Sequence, residues 1–205
     1  MTEGLQWGLV SLGLLVVIVR RRYVAIALVT IQAAMLGIGA LTLVSGGSRE
    51  FLAAGIILLL RSLLLCVLLV LTVRRTREPR PLRAPATPLL RLAGVVALGL
   101  VVVALVPPLG LVSRLAEQAS VALLAMGIAI IVIRRATVFH LLGLLVAENG
   151  LGLAALSVPG GFPLPIELGA AIDLIVLVTV AIAFHERIFG EFGTGDASLL
   201  RGLRD

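Results

Sequence analysis

The chain has 205 residues, of which 60% are hydrophobic, and its mean hydropathy is +1.18. These values exclude an ordinary soluble domain and are typical of polytopic membrane proteins, in which the lipid bilayer surrounds most side chains. The net charge is +6, and most of the 17 basic residues, all of them arginines, fall between apolar segments. This distribution favours a topology signal over a nucleic-acid-binding face, so no nucleic acid is expected as a partner.

Seven apolar segments follow one another along the chain, each near the roughly 20 residues that cross about 30 Å of hydrocarbon. Turn residues such as Pro107 and Pro108 separate them. The predicted fold is therefore all-α, with about seven transmembrane helices and a short polar tail at 191–205. The predicted helices are Leu5–Val19, Tyr23–Ser45, Phe51–Val73, Leu89–Val106, Arg114–Ile133, Ala136–Val158 and Pro165–Arg187.

The arginines indicate how these helices are oriented. Most of them fall on one side of the membrane, in the first, third and fifth loops and near the C-terminus, whereas Arg49 and Arg114 fall on the other side. Because cytoplasmic loops carry the excess of basic residues, the N-terminus is predicted outside and the C-terminus in the cytoplasm. An odd number of helices agrees with this orientation. The expected location is the inner (plasma) membrane, which the chain crosses several times.

Carboxylates occur where a membrane helix should have none, Glu148 in the sixth segment and Asp173 in the seventh. A charged side chain at the bilayer centre costs about 2.5–3.5 kcal/mol on insertion scales, so it needs a partner, water or a proton. The helical rise places both groups about 18 Å from the cytoplasmic side. We therefore predict that they lie at one depth on neighbouring antiparallel helices and relay protons. The alternatives are a neutral acid with a packing role for Glu148 and an interhelical hydrogen-bond donor for Asp173.

Further polar residues are candidates for the same relay. Arg61 is predicted about 15 Å deep, level with Gln32, as either a structural counter-ion of one carboxylate or an electrostatic gate. His140 lies eight residues before Glu148 on the same helix face and either loads protons onto it or is merely solvated. Glu117 lies about one turn into the fifth helix and belongs either to an outer proton exit or to a wet surface.

The sequence contains no pattern typical of a catalytic centre. It has no glycine-rich phosphate loop, no cysteine set for zinc or iron–sulfur clusters and no Ser/His/Asp set in an aqueous domain. Its one cysteine, Cys66, lies in an apolar segment and is interpreted as a small buried apolar residue. No cofactor or metal is therefore predicted, and the chain is expected to be an accessory subunit if its complex is an enzyme.

The region Arg134–Phe189 resembles the K subunit of respiratory complex I, a three-helix protein with a Glu in its second helix and another in its third. Glu148 in LLVAENGLGLAAL matches the first position, and Asp173 in AAIDLIVLVTVAIAF matches the second with Asp in place of Glu. The whole chain is similar to hydrogenase-4 component E through LLVAENG, PIELGAAIDLIV and SLLRGLRD. That family usually has a Lys in its third helix, where this chain has Arg61, which holds its proton more firmly.

The resemblance implies a domain organisation and a function. Residues 1–107 would form a four-helix membrane segment, 108–190 a K-subunit-like three-helix unit and 191–205 a cytoplasmic tail. The chain would be a non-catalytic membrane-arm subunit of a group 4 nickel–iron hydrogenase-like complex that translocates protons or sodium ions. Its partners would be antiporter-like and H-subunit-like membrane subunits, with nickel–iron and iron–sulfur subunits as indirect neighbours. The alternatives are a C-type subunit of a multisubunit sodium/proton antiporter and a purely structural membrane scaffold.

Overall fold

The structure is a computed structural model that describes residues 2–44, 49–76, 87–134, 136–159 and 164–192. Within these residues the chain folds into seven α-helices, which confirms the predicted all-α class. They are α1 (Glu3–Ile18), α2 (Arg22–Thr42), α3 (Arg49–Thr76), α4 (Pro88–Leu105), α5 (Arg114–Ile133), α6 (Thr137–Leu156) and α7 (Leu164–Phe192). Most of the predicted polar tail, 193–205, lies outside the described residues.

Five helices, α2 to α6, are long and apolar enough to cross a membrane, as judged within the described residues by length and composition. The chain is therefore a multi-pass membrane protein. The first helix, α1, is apolar but has only 16 residues. The fifth helix, α5, begins and ends at the predicted residues, and the other helix ends lie within a few residues of the prediction.

The ends of α4 and α5 follow from local sequence. The hydroxyl of Thr87 accepts a hydrogen bond from the backbone N–H of Leu90, and a proline occupies the first position of α4. Ser113 caps α5 in the same way, accepting from the backbone N–H of Ala116 at 3.1 Å. The Pro-Pro pair that follows α4 cannot continue a helix, and Gly110 completes the turn with a positive φ of 74°.

The helices pack in two layers. One layer contains α4, α5 and α6, and the other contains α1, α2, α3 and α7. The layers meet where α1 packs on α4 and α5 and where α2 packs on α6. The sequence predicts that α7 packs beside α6. In the structure α7 packs mainly against α3 and touches α6 only slightly.

Small residues bring α5 and α6 into backbone contact. A Cβ atom added at Gly143 of α6 would lie 2.7 Å from the carbonyl oxygen of Gly127 in α5. A Cβ atom added at Gly150 would lie 2.7 Å from the carbonyl oxygen of Ser120. Such close approach is typical of membrane helices that associate through small residues. This glycine face holds α6 against α5, while Glu148 on another face of α6 contacts α3.

One end of the bundle is rich in arginine. Arg75 Nη1 at the end of α3 lies 3.4 Å from Glu186 Oε1 near the end of α7, so these two helices end on the same side. The end of α5 meets the end of α1 there through Arg134, which bonds to the carbonyl oxygen of Val17. The described arginines near this end are Arg20, Arg21, Arg22, Arg74, Arg75, Arg91, Arg134 and Arg187.

Candidate functional site

Arg61 of α3 and Glu148 of α6 form an ion pair inside the bundle. Arg61 Nη1 donates a hydrogen bond to Glu148 Oε1, and the side chains are 4% and 17% exposed. Both residues lie well inside helices that are long and apolar enough to span a membrane. The sequence predicts Arg61 as the partner of a carboxylate without saying which one, and the structure identifies it as Glu148.

The ion pair leaves two polar atoms unsatisfied. Glu148 Oε2 and Arg61 Nε are both buried and have no hydrogen-bond partner. A cavity of about 10 Å³ lies next to the pair, lined by residues of α2, α3 and α6 that include Arg61, Ser62 and Asn149. This is close to the smallest volume that holds one water molecule. The site therefore combines a buried acid with space for about one water beside its counter-ion.

A pair of buried amides adjoins the ion pair. Asn149 Nδ2 donates to Gln32 Oε1 at 3.0 Å, and Gln32 Nε2 donates to the carbonyl oxygen of Leu9 at 2.8 Å. Gln32 is fully buried and Asn149 is 1% exposed. We call Gln32, Arg61, Glu148 and Asn149 the central polar layer. It joins α1, α2, α3 and α6 in the middle of the bundle.

Asn149 is not among the site residues predicted from the sequence. The signal that points to it is its position directly after Glu148 in an apolar helix, where a second polar side chain also requires a partner. The predicted level of Gln32 agrees with the structure, since its amide bonds to the residue that follows the buried acid.

Asp173 does not join the central polar layer. Its side chain is exposed on the outer face of α7, between Ile172 and Val176, which are 52% and 56% exposed. The residues of α7 that turn towards the bundle are others, among them Leu174 and Val178. Asp173 therefore has no described hydrogen bond or ion pair to Glu148, because α7 lies mainly on α3 and turns its carboxylate outwards. Its predicted relay role stays a prediction.

His140 and Glu117 lie apart from the central polar layer as well. His140 Nε2 lies 2.5 Å from the carbonyl oxygen of Arg134, to which it donates, so it bonds to the end of α5. Glu117 is 5% exposed and forms an ion pair with Arg114 within the first turn of α5, so it is buried rather than wet. Neither residue has a hydrogen bond or ion pair to the layer that includes Glu148. Their predicted relay roles stay predictions.

A larger cavity lies elsewhere in the bundle. It has a volume of about 340 Å³ and is lined by α1, α4 and α5, with Gln6 and Gln118 as its polar side chains. None of its lining residues is an acid or a base. Among the described residues, no group of three or more His, Cys, Asp or Glu is placed to hold a metal ion. Unlike the ion pair, the larger cavity therefore offers no ionisable side chain.

Comparison with known proteins gives one informative match. No model of a known protein family matches the chain, and no solved structure matches it. The chain is 33% identical over 208 residues to a protein of Mycobacterium tuberculosis named "Uncharacterized protein Rv0085", and the match covers 97% of this chain and 93% of that protein. Because the similarity extends over nearly the whole of both proteins, this chain belongs to the same family as the uncharacterized protein Rv0085.

Proposed function

We propose that the chain is a non-catalytic membrane-arm subunit of a complex I-related redox complex of the group 4 hydrogenase type, in which Glu148 and Arg61 take part in proton or sodium translocation. The observation that carries this proposal is the buried ion pair between them. Ionisable residues inside a membrane are rare and mark ion pathways and proton relays. The resemblance of LLVAENG and PIELGAAIDLIV to hydrogenase-4 component E supports the type of complex.

The ion pair supports a simple way to load and release a proton. Arg61 engages Oε1 of Glu148, while Oε2 is buried without a partner and is free to accept a proton. When the pair is closed, the guanidinium stabilises the carboxylate. When the guanidinium moves away, a carboxylate in apolar surroundings takes up a proton rather than remain an isolated charge. In this scheme Arg61 acts as the gate and Glu148 as the carrier.

Asp173 supports the presence of neighbouring subunits. Its side chain is exposed on α7 among apolar residues, so a bilayer would surround an unpaired carboxylate at a cost of about 2.5–3.5 kcal/mol. A polar or basic group on a neighbouring protein helix removes this cost. Antiporter-like and H-subunit-like subunits of the same complex are the proposed neighbours, with the nickel–iron and iron–sulfur subunits more distant. Asp173 then belongs to the interface between subunits, while Glu148 belongs to the interior of this one.

The arginine-rich end of the bundle supports the orientation. We place that end in the cytoplasm because basic residues accumulate on that side of membrane proteins. Arg114, at the start of α5, lies at the opposite end of its helix from Arg134. All seven helices then cross the inner (plasma) membrane, with the N-terminus outside and the C-terminus in the cytoplasm.

The test is ion uptake by proteoliposomes that contain the whole purified complex. Glu148→Gln keeps the shape of the side chain and removes its charge, so it should reduce uptake to near background while the complex still assembles. Asp173→Asn should instead reduce the amount of neighbouring subunits that purify with the chain, because the exposed Asp173 is proposed to lie at their interface. Glu186→Gln is the matched control, because it neutralises an acid that is partly exposed and paired with Arg75 near the end of the bundle. It should leave uptake unchanged.

The same assay separates the alternatives. Full uptake by an assembled Glu148→Gln, Asp173→Asn double variant would contradict the relay and favour the structural scaffold. The subunits that purify with the chain, identified by mass spectrometry, distinguish the two kinds of complex. A large subunit with CxxC pairs at both ends indicates a nickel–iron hydrogenase-like complex, and antiporter-like subunits alone indicate the C-type subunit of a sodium/proton antiporter.

A further inference from the structure

Three arginines from different parts of the chain lie together at the arginine-rich end of the bundle. Arg20 follows α1, Arg91 lies in the first turn of α4 and Arg134 follows α5. Arg91 is 2% exposed and Arg134 is 5% exposed, whereas Arg20 is exposed. Burial, and to a smaller extent the charges of Arg91 and Arg20, lowers the pKa of Arg134 to about 10. Arg91 Nη1 and Arg134 Nη2 both lie against the carbonyl oxygen of Val17, three residues before Arg20, so the three positive charges are close together.

Arg134 has partners for its guanidinium group. Its Nη2 donates to the carbonyl oxygens of Val17 at 2.8 Å and Val19 at 2.5 Å, and its guanidinium carbon lies 4.2 Å from the centre of the Phe139 ring. The last carbonyl groups of a helix lack partners within the helix, and a cation at this end is favourable. Arg134 therefore caps α1 and stacks on an aromatic ring.

Arg91 is different, because most of its donors have no partner. Its Nη1 lies 3.5 Å from the carbonyl oxygen of Val17, at the limit of a hydrogen bond. Its Nε and Nη2 are buried without any hydrogen-bond partner. In the part of the chain that the structure describes, no carboxylate forms an ion pair with Arg20, Arg91 or Arg134. A buried cation with unsatisfied donors is unfavourable, so an anion bound to Arg91 would stabilise this end of the bundle.

We propose that Arg20, Arg91 and Arg134 form a binding site for a phosphate group, which the headgroup of an anionic lipid supplies. The Nε and Nη2 atoms form one edge of the Arg91 guanidinium, and such an edge binds two oxygens of one phosphate side by side. The beginning of α4 adds the positive end of a helix dipole close to Arg91. The phosphate accepts the unsatisfied hydrogen bonds and reduces the repulsion among the three cations.

The surroundings of the site favour a lipid over free phosphate. Leu89 and Leu90, in the same turn of α4 as Arg91, are 76% and 65% exposed, so this end of α4 presents apolar surface to acyl chains. Arg20 is exposed beside it and would contact the headgroup. Basic pockets between membrane helices bind phospholipid headgroups, and a long arginine side chain near a helix end reaches the headgroup level.

The test measures how lipids change the thermal stability of the full-length chain in a neutral detergent, together with any subunits that purify with it. The fraction of the chain that stays soluble after heating is followed by immunoblot. Phosphatidylglycerol should raise the midpoint temperature of the wild-type chain by about 5 °C when it is well above its dissociation constant. Phosphatidylcholine should raise it much less. Sodium phosphate in a parallel sample shows whether the phosphate group alone is sufficient. Equal stabilisation by sodium phosphate would mean that the site binds free phosphate rather than a lipid headgroup.

Two variants and one control make the result specific. Arg91→Gln should lose most of the stabilisation by phosphatidylglycerol, and its midpoint without added lipid should be no lower than that of the wild type because it relieves repulsion. Arg20→Gln changes an exposed residue and does not disturb the core. It should lower the affinity for phosphatidylglycerol about fivefold, so that about five times more lipid gives the same rise in midpoint temperature. Arg74→Gln is the control, since it removes an exposed arginine near the same end. Equal stabilisation of the wild type, Arg91→Gln and Arg20→Gln, or no effect of any anion on the wild type, would overturn the proposal.

Discussion

Arg61 and Glu148 are 87 positions apart in the chain, yet Arg61 Nη1 and Glu148 Oε1 form an ion pair between α3 and α6. Each side chain alone would place a charge in the middle of an apolar helix. Together they neutralise one another, while Asn149 donates a hydrogen bond to Gln32, which in turn donates to the carbonyl oxygen of Leu9. Four polar side chains are thus accommodated in one layer of an otherwise apolar bundle.

The first prediction concerns the interdependence of the ion pair. Arg61→Leu should reduce the free energy of unfolding by about 3–5 kcal/mol, because it leaves a buried carboxylate without its counter-ion. The double variant Arg61→Leu, Glu148→Leu should be much more stable than the Arg61→Leu variant. Unfolding in detergent by a denaturant titration measures both. If the effects of the two substitutions were simply additive, the ion pair would not be the reason for the loss.

A second prediction concerns the buried amides. Asn149→Leu should cost about 0.6 kcal/mol and no more than about 1.7 kcal/mol, the range of interhelical hydrogen bonds in membrane proteins. Gln32→Leu should cost more, since Gln32 makes two hydrogen bonds, one to Asn149 and one to the carbonyl oxygen of Leu9. The same denaturant titration compares them. The reverse order would mean that the bond to Leu9 contributes little.

The third prediction concerns the glycine contact between α5 and α6. Gly143→Ala places a Cβ atom 2.7 Å from the backbone oxygen of Gly127, so the helices must separate, at a cost of about 1–3 kcal/mol. Gly94→Ala is the matched control, because nothing lies within 4 Å of its added Cβ atom. It should be neutral or stabilise α4 by up to about 1 kcal/mol. Equal stability of the two variants would show that the interface between α5 and α6 accommodates the added methyl group without loss of stability.

The fourth prediction concerns orientation. In a Cys66→Ala background, a cysteine introduced at Leu109, which is 52% exposed between α4 and α5, should react with an impermeant thiol reagent from outside intact cells. A cysteine introduced at Arg74, exposed near the end of α3, should react only after the membrane is opened. The opposite pattern would reverse the orientation. Equal labelling at both sites would show that α4, the helix between them, does not cross the membrane.

The sequence predicts the helices well and their neighbours less well. The bounds of α5 agree with the prediction at both ends, because Ser113 marks its beginning and the apolar segment stops at Arg134. That Arg61 lies level with Glu148 is also predictable, since helical rise converts the position of a residue into its distance along the helix axis. What is not predictable is which helices touch, because membrane helices are apolar on most faces and periodicity does not select the buried one.

Asp173 and Arg91 are two residues whose surroundings the sequence does not predict. A short connection between α6 and α7 suggests that they are neighbours, yet α7 packs on α3 and its carboxylate faces outwards. Arg91 is one of many arginines that serve as a topology signal in the sequence, yet it is buried with unsatisfied donors. In both cases the tertiary contacts, rather than the residue type, decide the role of the side chain.

The separation of the ion-pair residues also affects how the protein is made. Ribosomes add about 5–20 residues per second, so the 87 positions between Arg61 and Glu148 correspond to about 4–17 s of synthesis. During that interval α3 inserts into the membrane before Glu148, the partner of Arg61, has been synthesised. The segment Phe51–Arg75 is the most apolar of the five candidate spans, which helps it to insert despite the arginine. Until α6 is synthesised, the Arg61 guanidinium in the inserted α3 therefore needs water or lipid headgroups as its partners.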